Sequence, residues 1–292
     1  MKITISGSLG NIGKSLATQL VAVGHDVTVI SSAADRKEAI EKLGAKAAIG
    51  SVSDPEFLKE AFVGADAVFA MTPPNMGGAN IIANTVEAGK AFAKAITESG
   101  VKRVVMLSSI GADLPTGNGP IAGLYHIENL YRDLQAVSVT FLRAGLFFTN
   151  FYNDIPLIKG MGIMGANYPG TIQVPMVYPE DIATAASEEL QKNTEGKNIR
   201  YIVSDVRTPN EVAQVFGAAI GKPELPWVEF TDEQSLQGMI QAGLPNEVAH
   251  LYTEMGTGFR NGTIPADFEL QGSPVNGSTK LEDFAQIWAT RF

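Results

Sequence analysis

The sequence predicts an α/β chain built around a doubly wound parallel sheet. Three observations predict it. Short apolar runs alternate with longer segments of helical period, the segment ends carry caps and glycines in phase with that alternation, and a glycine-rich turn follows the first run. The runs are Lys2–Ser6, Val27–Ile30, Ala47–Ile49, Ala67–Ala70, Val104–Leu107 and Val139–Leu142. Between them, helical period covers Ile12–Val23, Arg36–Leu43, Glu56–Phe62, Asn80–Ser99 and roughly Gly123–Leu134. Six strands separated by helices suit a sheet with helices on both faces.

The punctuation agrees with this phasing. Asp54-Pro55 reads as an N-cap followed by proline at the first helical position, and Gly24, Gly44, Gly64 and Gly100 stand where helices should stop. Past Leu142 the rhythm breaks, and Gly160, Gly162 and Gly165 point to a loop-rich stretch. A strand at Val174–Val177, a helix opening at Pro179-Glu180-Asp181 and a further strand at Arg200–Val203 follow. In the last ninety residues, Pro209–Ile220 and Glu233–Ala242 read as helices, with turns at Pro226, Pro245 and Gly272–Pro274.

Composition narrows the function classes. The chain has 292 residues, 45% hydrophobic and 18% charged, so it can bury an ordinary globular core. A net charge of −9 without a Lys/Arg cluster argues against nucleic acid as a partner. The absence of cysteine excludes disulfides, thiolate catalysis and Cys-ligated metals, and permits a reducing compartment. No apolar stretch approaches the length needed to span a bilayer, and Met1 to Ile5 reads as a strand rather than a leader. The expectation is a cytoplasmic protein with no membrane partner. His25, His126 and His250 lack the paired spacing of a metal site, so no metal is expected.

Gly7-Ser8-Leu9-Gly10-Asn11-Ile12-Gly13 follows a strand and opens a helix, the context a dinucleotide fingerprint requires. Gly7 can take the tight turn, Gly10 can let the backbone approach a pyrophosphate, and Gly13 can let the helix lie close on the strand. Backbone N–H groups from Leu9 through Asn11 to Ile12 are the expected phosphate donors. The fold expected is therefore Rossmann-type, with residues 1–150, completed by segments within 171–205, binding NAD(P). Residues 151–170 and 206–292 are expected to form a smaller mixed substrate lobe. At the end of the second strand, where NAD-preferring sites carry a carboxylate, this chain has Ser31-Ser32. Arg36-Lys37 follow, so the electrostatics favour NADP(H) over NAD(H), although both could simply be a solvated helix face. Ser51 and Val52 should pass beside the adenine, with Asp54 read as a helix cap. Met71-Thr72-Pro73-Pro74 ends the fourth strand at the switch-point crevice, where it can face the ribose and nicotinamide or be a plain loop.

The spacing GxxGxxG, together with Ser108-Ser109-Ile110-Gly111-Ala112, His126-Ile127-Glu128, Thr140-Phe141-Leu142-Arg143-Ala144-Gly145, Asn150 and Tyr178-Pro179-Glu180-Asp181, resembles the NmrA-like branch of the atypical short-chain dehydrogenases. The resemblance runs nearly end to end. Within the branch it is most similar to type-two NAD(P)H quinone oxidoreductases and triphenylmethane dye reductases, which pass hydride to flat conjugated acceptors. The branch also contains regulators that bind the dinucleotide without evident catalysis.

Conventional short-chain dehydrogenases use a Tyr as acid and a Lys four residues later. Here Tyr125 is followed at that spacing by Asn129, and the alternative register places Ala122 and His126 in the two positions. Neither register keeps the dyad. A conjugated acceptor asks less, because hydride transfer to it leaves a weakly basic anion. His126 is then the candidate for a hydrogen bond to the nicotinamide ribose or the acceptor, or else an exposed helix histidine. Ser109 can donate to the acceptor or cap its own turn. Phe147, with neighbouring Phe148, Phe151 and Tyr152, offers an aromatic wall for a planar acceptor or a core joining the lobes. Asn150 matches the family's Asn, whereas Thr149 stands where many relatives carry Glu. Arg143 is expected to pin the lobe-joining loop through a salt bridge.

These features lead to an NAD(P)H-dependent oxidoreductase, NADPH preferred, with a small-molecule electron acceptor and a homodimer left open. A non-catalytic dinucleotide sensor is the competing expectation. An extended-type enzyme acting on sugar nucleotides fits the C-terminal lobe less well.

Overall fold

The computed structural model describes residues 1–73 and 78–292. In chain order the elements are β1 (Lys2–Ile5), α1 (Gly13–Ala22), β2 (Asp26–Ser31), α2 (Lys37–Lys42), β3 (Lys46–Ile49), α3 (Pro55–Phe62), β4 (Ala67–Ala70), α4 (Ile81–Ser99), β5 (Arg103–Ser109), α5 (Ala122–Arg132) and β6 (Ser138–Ala144). Then come β7 (Leu146–Phe147), α6 (Ile155–Met161), β8 (Met164–Ala166), β9 (Val174–Val177), α7 (Pro179–Gln191), β10 (Lys197–Ile202), β11 (Asp205–Arg207) and α8 (Pro209–Ala219). The chain continues through β12 (Trp227–Glu229), α9 (Asp232–Gln241), α10 (Asn246–Arg260), α11 (Ala266–Leu270) and α12 (Leu281–Ala289).

Seven strands form one sheet in the order β10-β6-β5-β4-β1-β2-β3. Every pairing in it is parallel. The strand order reverses between β1 and β4, which makes the gap above their carboxyl ends the topological switch point. Central strands are apolar along their length because helices cover both faces: Ala67–Ala70 is buried throughout, as are Ile3 and Ile5. One face packs on α1 and α7 through Leu16, Leu20, Ile182 and Ala186, the other on α3, α4 and α5 through Leu58, Phe92 and Ile127. The expected helix stops hold: Gly24, Gly44, Gly64 and Gly100 all have positive φ.

A second apolar cluster lies beyond β6. Phe148, Phe151, Phe216, Phe284 and Trp288 form its centre, with β7, β9 and β11 in a three-stranded sheet and β8 beside β12. Here the sequence expectation needs correction. The stretch read as loop-rich contains α6 and β8. Gly162, at φ +69, ends α6, and Gly165 lies where a side chain would meet the Val228 carbonyl oxygen at 2.5 Å, so it permits β8 to approach β12. The strand expected from Arg200 begins earlier, at Lys197, and it is the sheet's edge strand, with Ile199 exposed. The Asp181 carboxylate ties the tail to α7, accepting from Ser204 Oγ (2.5 Å), Ser278 Oγ (3.0 Å) and the N–H of Thr279 (3.1 Å). Burial would raise this carboxyl, but those donors outweigh it and hold it below the ordinary carboxylate range.

Candidate active site

The turn after β1 has the geometry that phosphate binding needs. Gly7 sits at φ +107 with Met71 packed where a side chain would be, since an added Cβ would stand 2.0 Å from Met71 Cε. At Gly13 an added Cβ would meet the Ser8 carbonyl oxygen at 2.2 Å, so only glycine lets α1 start this close to the turn. Gly10 is exposed and has more room, 3.2 Å to the Gly7 carbonyl oxygen. Among the described residues, the backbone N–H groups of Leu9, Asn11 and Ile12 have no hydrogen-bond partner. No acidic residue lies in the first turn of α1, so its positive end is not neutralised from within. The buried Ile12 side chain anchors this end in the sheet core.

Two serines that sequence reasoning did not single out shape the turn. Ser6, fully buried, accepts from the Met71 N–H at 2.7 Å and so joins the end of β1 to the end of β4. Ser8, at φ +52, donates from its hydroxyl to Ser31 Oγ at 2.9 Å and from its N–H to the Ile30 carbonyl at 3.0 Å. A small polar side chain at the end of a strand was the only signal for either.

Around the crevice, the expected residues have distinct surroundings. Ser31 is buried, and its hydroxyl already serves Ser8 and the backbone of Ala33. Arg36 is exposed in a 3₁₀ turn, Ala34–Arg36, and no carboxylate lies within ion-pair distance of it among the described residues, whereas Lys37 faces Glu41 at 3.9 Å. Ser51 is exposed and accepts from the Ser53 N–H, while Val52 is half-buried against the α3–α4 side of the core. Asp54 caps α3, accepting from the N–H groups of Glu56 and Phe57 at 3.1 and 3.3 Å. Met71 and Thr72 are half-buried and Pro73 is exposed at the switch point; Pro74 lies outside the described residues.

Ser109 ends β5 on the same sheet edge, because β4 and β5 pair in parallel with Ala70 opposite Met106. Its hydroxyl donates to the Ile110 carbonyl at 2.9 Å. His126 is placed differently. On α5, Glu128 faces the sheet, where it accepts from Ser108 Oγ at 2.6 Å, and a residue two positions earlier lies on nearly the opposite side of the helix. His126 is exposed there, edge-on to Tyr125, in a groove of about 490 Å³ shared with Ile82, Val86 and Glu247. Among the described residues no hydrogen bond joins it to the glycine-rich turn, and no residue of that turn lines its groove. Asn129, four residues after Tyr125, donates to that tyrosine's own carbonyl at 3.0 Å.

Beyond β6 the aromatic residues divide. Phe148 and Phe151 are core, stacked on Phe284 at 5.6 Å and tilted on Phe216 at 5.1 Å, and Tyr152 meets Phe284 edge-on. Phe147 is half-buried in β7, opposite Val177, and Asn150 is exposed. Arg143 does form the expected salt bridge, with partners the sequence did not indicate. Its Nε and Nη2 grip Glu128 at 3.0 and 2.8 Å, and Nη1 reaches Asp267 at 2.7 Å and Tyr201 Oη at 3.2 Å. Burial would lower the guanidinium pKa, but its hydrogen bonds and charge contact with Glu128 prevail and raise it. Asp113 lies 3.6 Å from Nη1, and burial raises its carboxyl. Glu247 also went unrecognised. It reaches from α10 to the start of α4, accepting from the N–H groups of Asn80 and Ile81 at 2.6 and 2.7 Å.

The match to known families is decided over almost the whole chain: the model of the NmrA-like family covers residues 1–284. The chain belongs to the NmrA-like family. Among curated proteins it is similar to an NAD(P)H azoreductase of Xenophilus azovorans, 28% identical over 99% of both chains. Among solved structures it is similar to the NADPH-dependent quinone oxidoreductase of Escherichia coli complexed with NADPH, at TM-score 0.81 and 17% identity, covering 98% of this chain and 99% of that one. The triphenylmethane reductase of Citrobacter sp. complexed with NADP(H) has TM-score 0.78 and 20% identity, covering 98% of this chain and 99% of that one. At these identities the two structures establish a shared fold. No helix among the described residues is long and apolar enough to cross a membrane.

Proposed function

We propose that this NmrA-like chain is an NAD(P)H-dependent oxidoreductase, preferring NADPH, that reduces a quinone-like or other conjugated small molecule. The observation that carries the reading is the glycine-rich turn at the switch point, with N–H groups at Asn11 and Ile12 that have no partner among the described residues, before a helix free of acid in its first turn. The near full-length relative named an NAD(P)H azoreductase supports it. Leu9 to Gly13 would hold the pyrophosphate, Arg36 a 2′-phosphate, and Met71 to Pro73 the nicotinamide side. When bound, a reduced nicotinamide supplies a hydride.

This chain's own residues bind, orient and exclude water. Ser109 offers a hydroxyl at the sheet edge that can turn from the Ile110 carbonyl toward an acceptor oxygen or nitrogen. Phe147 and Asn150 stand on the segment leaving β6, where a planar acceptor would lie over the nicotinamide. In this reading residues 1–150, with segments within 171–205, are the dinucleotide half, and 151–170 with 206–292 the acceptor lobe. A cytoplasmic setting belongs to the same proposal, consistent with a chain without cysteine, and light scattering would test for a homodimer. His126 is the weaker catalytic candidate, because its exposed ring faces away from the sheet-facing side of α5.

Mixing the purified protein with NADPH and a panel of soluble quinones and azo dyes should bleach the reduced-nicotinamide absorbance faster than the protein-free control. No acceleration with any acceptor contradicts the enzyme reading. One observation favours a sensor instead: neither Tyr125 with Asn129 nor Ala122 with His126 gives an acid and a cation side by side. A sensor requires different affinities for the oxidised and reduced cofactor, since equal binding shifts no equilibrium. Equal affinities remove that alternative.

A further inference from the structure

The Arg143 cluster sits between the two halves of the site. Arg143 has 4% of its side chain exposed and Glu128 has 2%, so this is a desolvated ionic centre. Four chain segments meet on it. Glu128 comes from α5, and Asp113 from the turn after β5. Asp267 comes from α11, near the C-terminus, and also accepts from Tyr201 Oη on β10. The same C-terminal segment touches the Ser109 turn directly. Ile264, fully buried, lies against Gly111, where an added Cβ would stand 3.0 Å from Ile264 Cγ2. Gly111 is at φ +84, so the turn is glycine-dependent in backbone as well as in space. Asn118 secures the turn from the other side, donating to the Gly111 carbonyl at 2.8 Å.

Resting on the oxidoreductase reading, we infer that Asp267 is a positioning residue: through Arg143 and Tyr201 it fixes the segment between α10 and α11 against the turn carrying Ser109. The spacing between sheet edge and acceptor lobe is thereby set by a charge cluster whose Arg143–Glu128 core is buried and whose Asp267 carboxylate is partly exposed. Among the described residues no hydrogen bond or ion pair joins the glycine-rich turn to this cluster, so cofactor affinity and acceptor handling should separate when the cluster is altered.

The test uses two full-length variants. Asp267→Asn keeps a hydrogen-bonding group and removes the charge, leaving the Arg143–Glu128 pair in place. Tyr201→Phe keeps the ring that packs edge-on against Phe268 and removes only the hydroxyl. For each, the NADPH dissociation constant, the acceptor kcat and KM, and Tm are measured. Asp267→Asn is expected to lose about tenfold in acceptor kcat/KM, with NADPH affinity held within about twofold, because small misplacements far from the chemistry are expensive in rate. Tyr201→Phe is expected to lose about threefold. Parental acceptor kinetics in the folded variants, or an equal loss of NADPH affinity, overturns the inference. If Asp267→Asn does not fold, Tyr201→Phe decides by the same criteria. A parent that turns over no acceptor overturns the oxidoreductase reading as well, whereas an active parent with unaffected variants overturns this inference alone.

Discussion

Arg36 and Lys37 are adjacent in sequence but not equivalent in the folded chain. Lys37 faces Glu41, whereas Arg36 has no carboxylate within ion-pair distance among the described residues and lies just past the Ser31 end of β2. A 2′-phosphate would gain a charge-assisted contact from Arg36 worth about 1.5 kcal/mol, or roughly tenfold in affinity. Arg36→Gln should therefore weaken NADPH about tenfold and leave NADH unchanged, as measured by fluorescence titration with each cofactor. Equal effects on both would remove Arg36 from the preference. Asp154 makes a second residue-scale prediction. Burial pushes its carboxyl up from 3.8 to about 7, so the folded state holds a proton that the unfolded chain releases at lower pH. Stability is full below the unfolded value and declines as pH rises through about 7. Asp154→Asn, with no charge to bury, should raise Tm at pH 8 and gain much less at pH 5; a gain independent of pH would contradict the assignment.

At the scale of elements, Asp54 separates a structural role from a ligand role. Its carboxylate caps α3 through the N–H groups of Glu56 and Phe57. Asp54→Ala should cost about 1 kcal/mol in a denaturant titration and leave NADPH affinity as it was; lost affinity would give it a cofactor contact instead. Elements whose period and caps lie within one segment were legible from the sequence, as Asp54-Pro55 opening α3 and Val174–Val177 forming β9 show. Elements whose pattern depends on distant partners were not. The helix α10 went unread although Val248, Leu251, Met255 and Phe259 recur at helical spacing, because Gly256 and Gly258, whose space is filled by Asn167 and Ile264, read as breaks in that period. Glu247 and Asp267 were equally hidden. Each works on a group more than a hundred residues away, Ile81 and Arg143 respectively, and no local spacing encodes that distance.

Across the whole molecule, the parallel sheet with its intervening helices and the glycine-rich turn are the features most legible in the sequence, whereas the order of the strands was not. A parallel sheet buried on both faces needs apolar strands with helices between them, and the chain supplies both in register. The reversal between β1 and β4 brings Gly7 against Met71, and Ser6 fixes that junction. The C-terminal lobe is joined to this edge by Asp267 and Ile264, while α10 holds the start of α4 through Glu247. Under the proposed function, the N–H groups opening α1 grip a dinucleotide pyrophosphate. Calorimetric titration of NADPH into the parent and into Gly13→Ala, both shown to be folded by circular dichroism, tests it most directly. The parent should bind saturably and the variant at least about tenfold more weakly, because its added Cβ meets the Ser8 carbonyl oxygen and displaces the turn. A folded parent that takes up no NADPH, or a variant that binds as the parent does, would contradict the account.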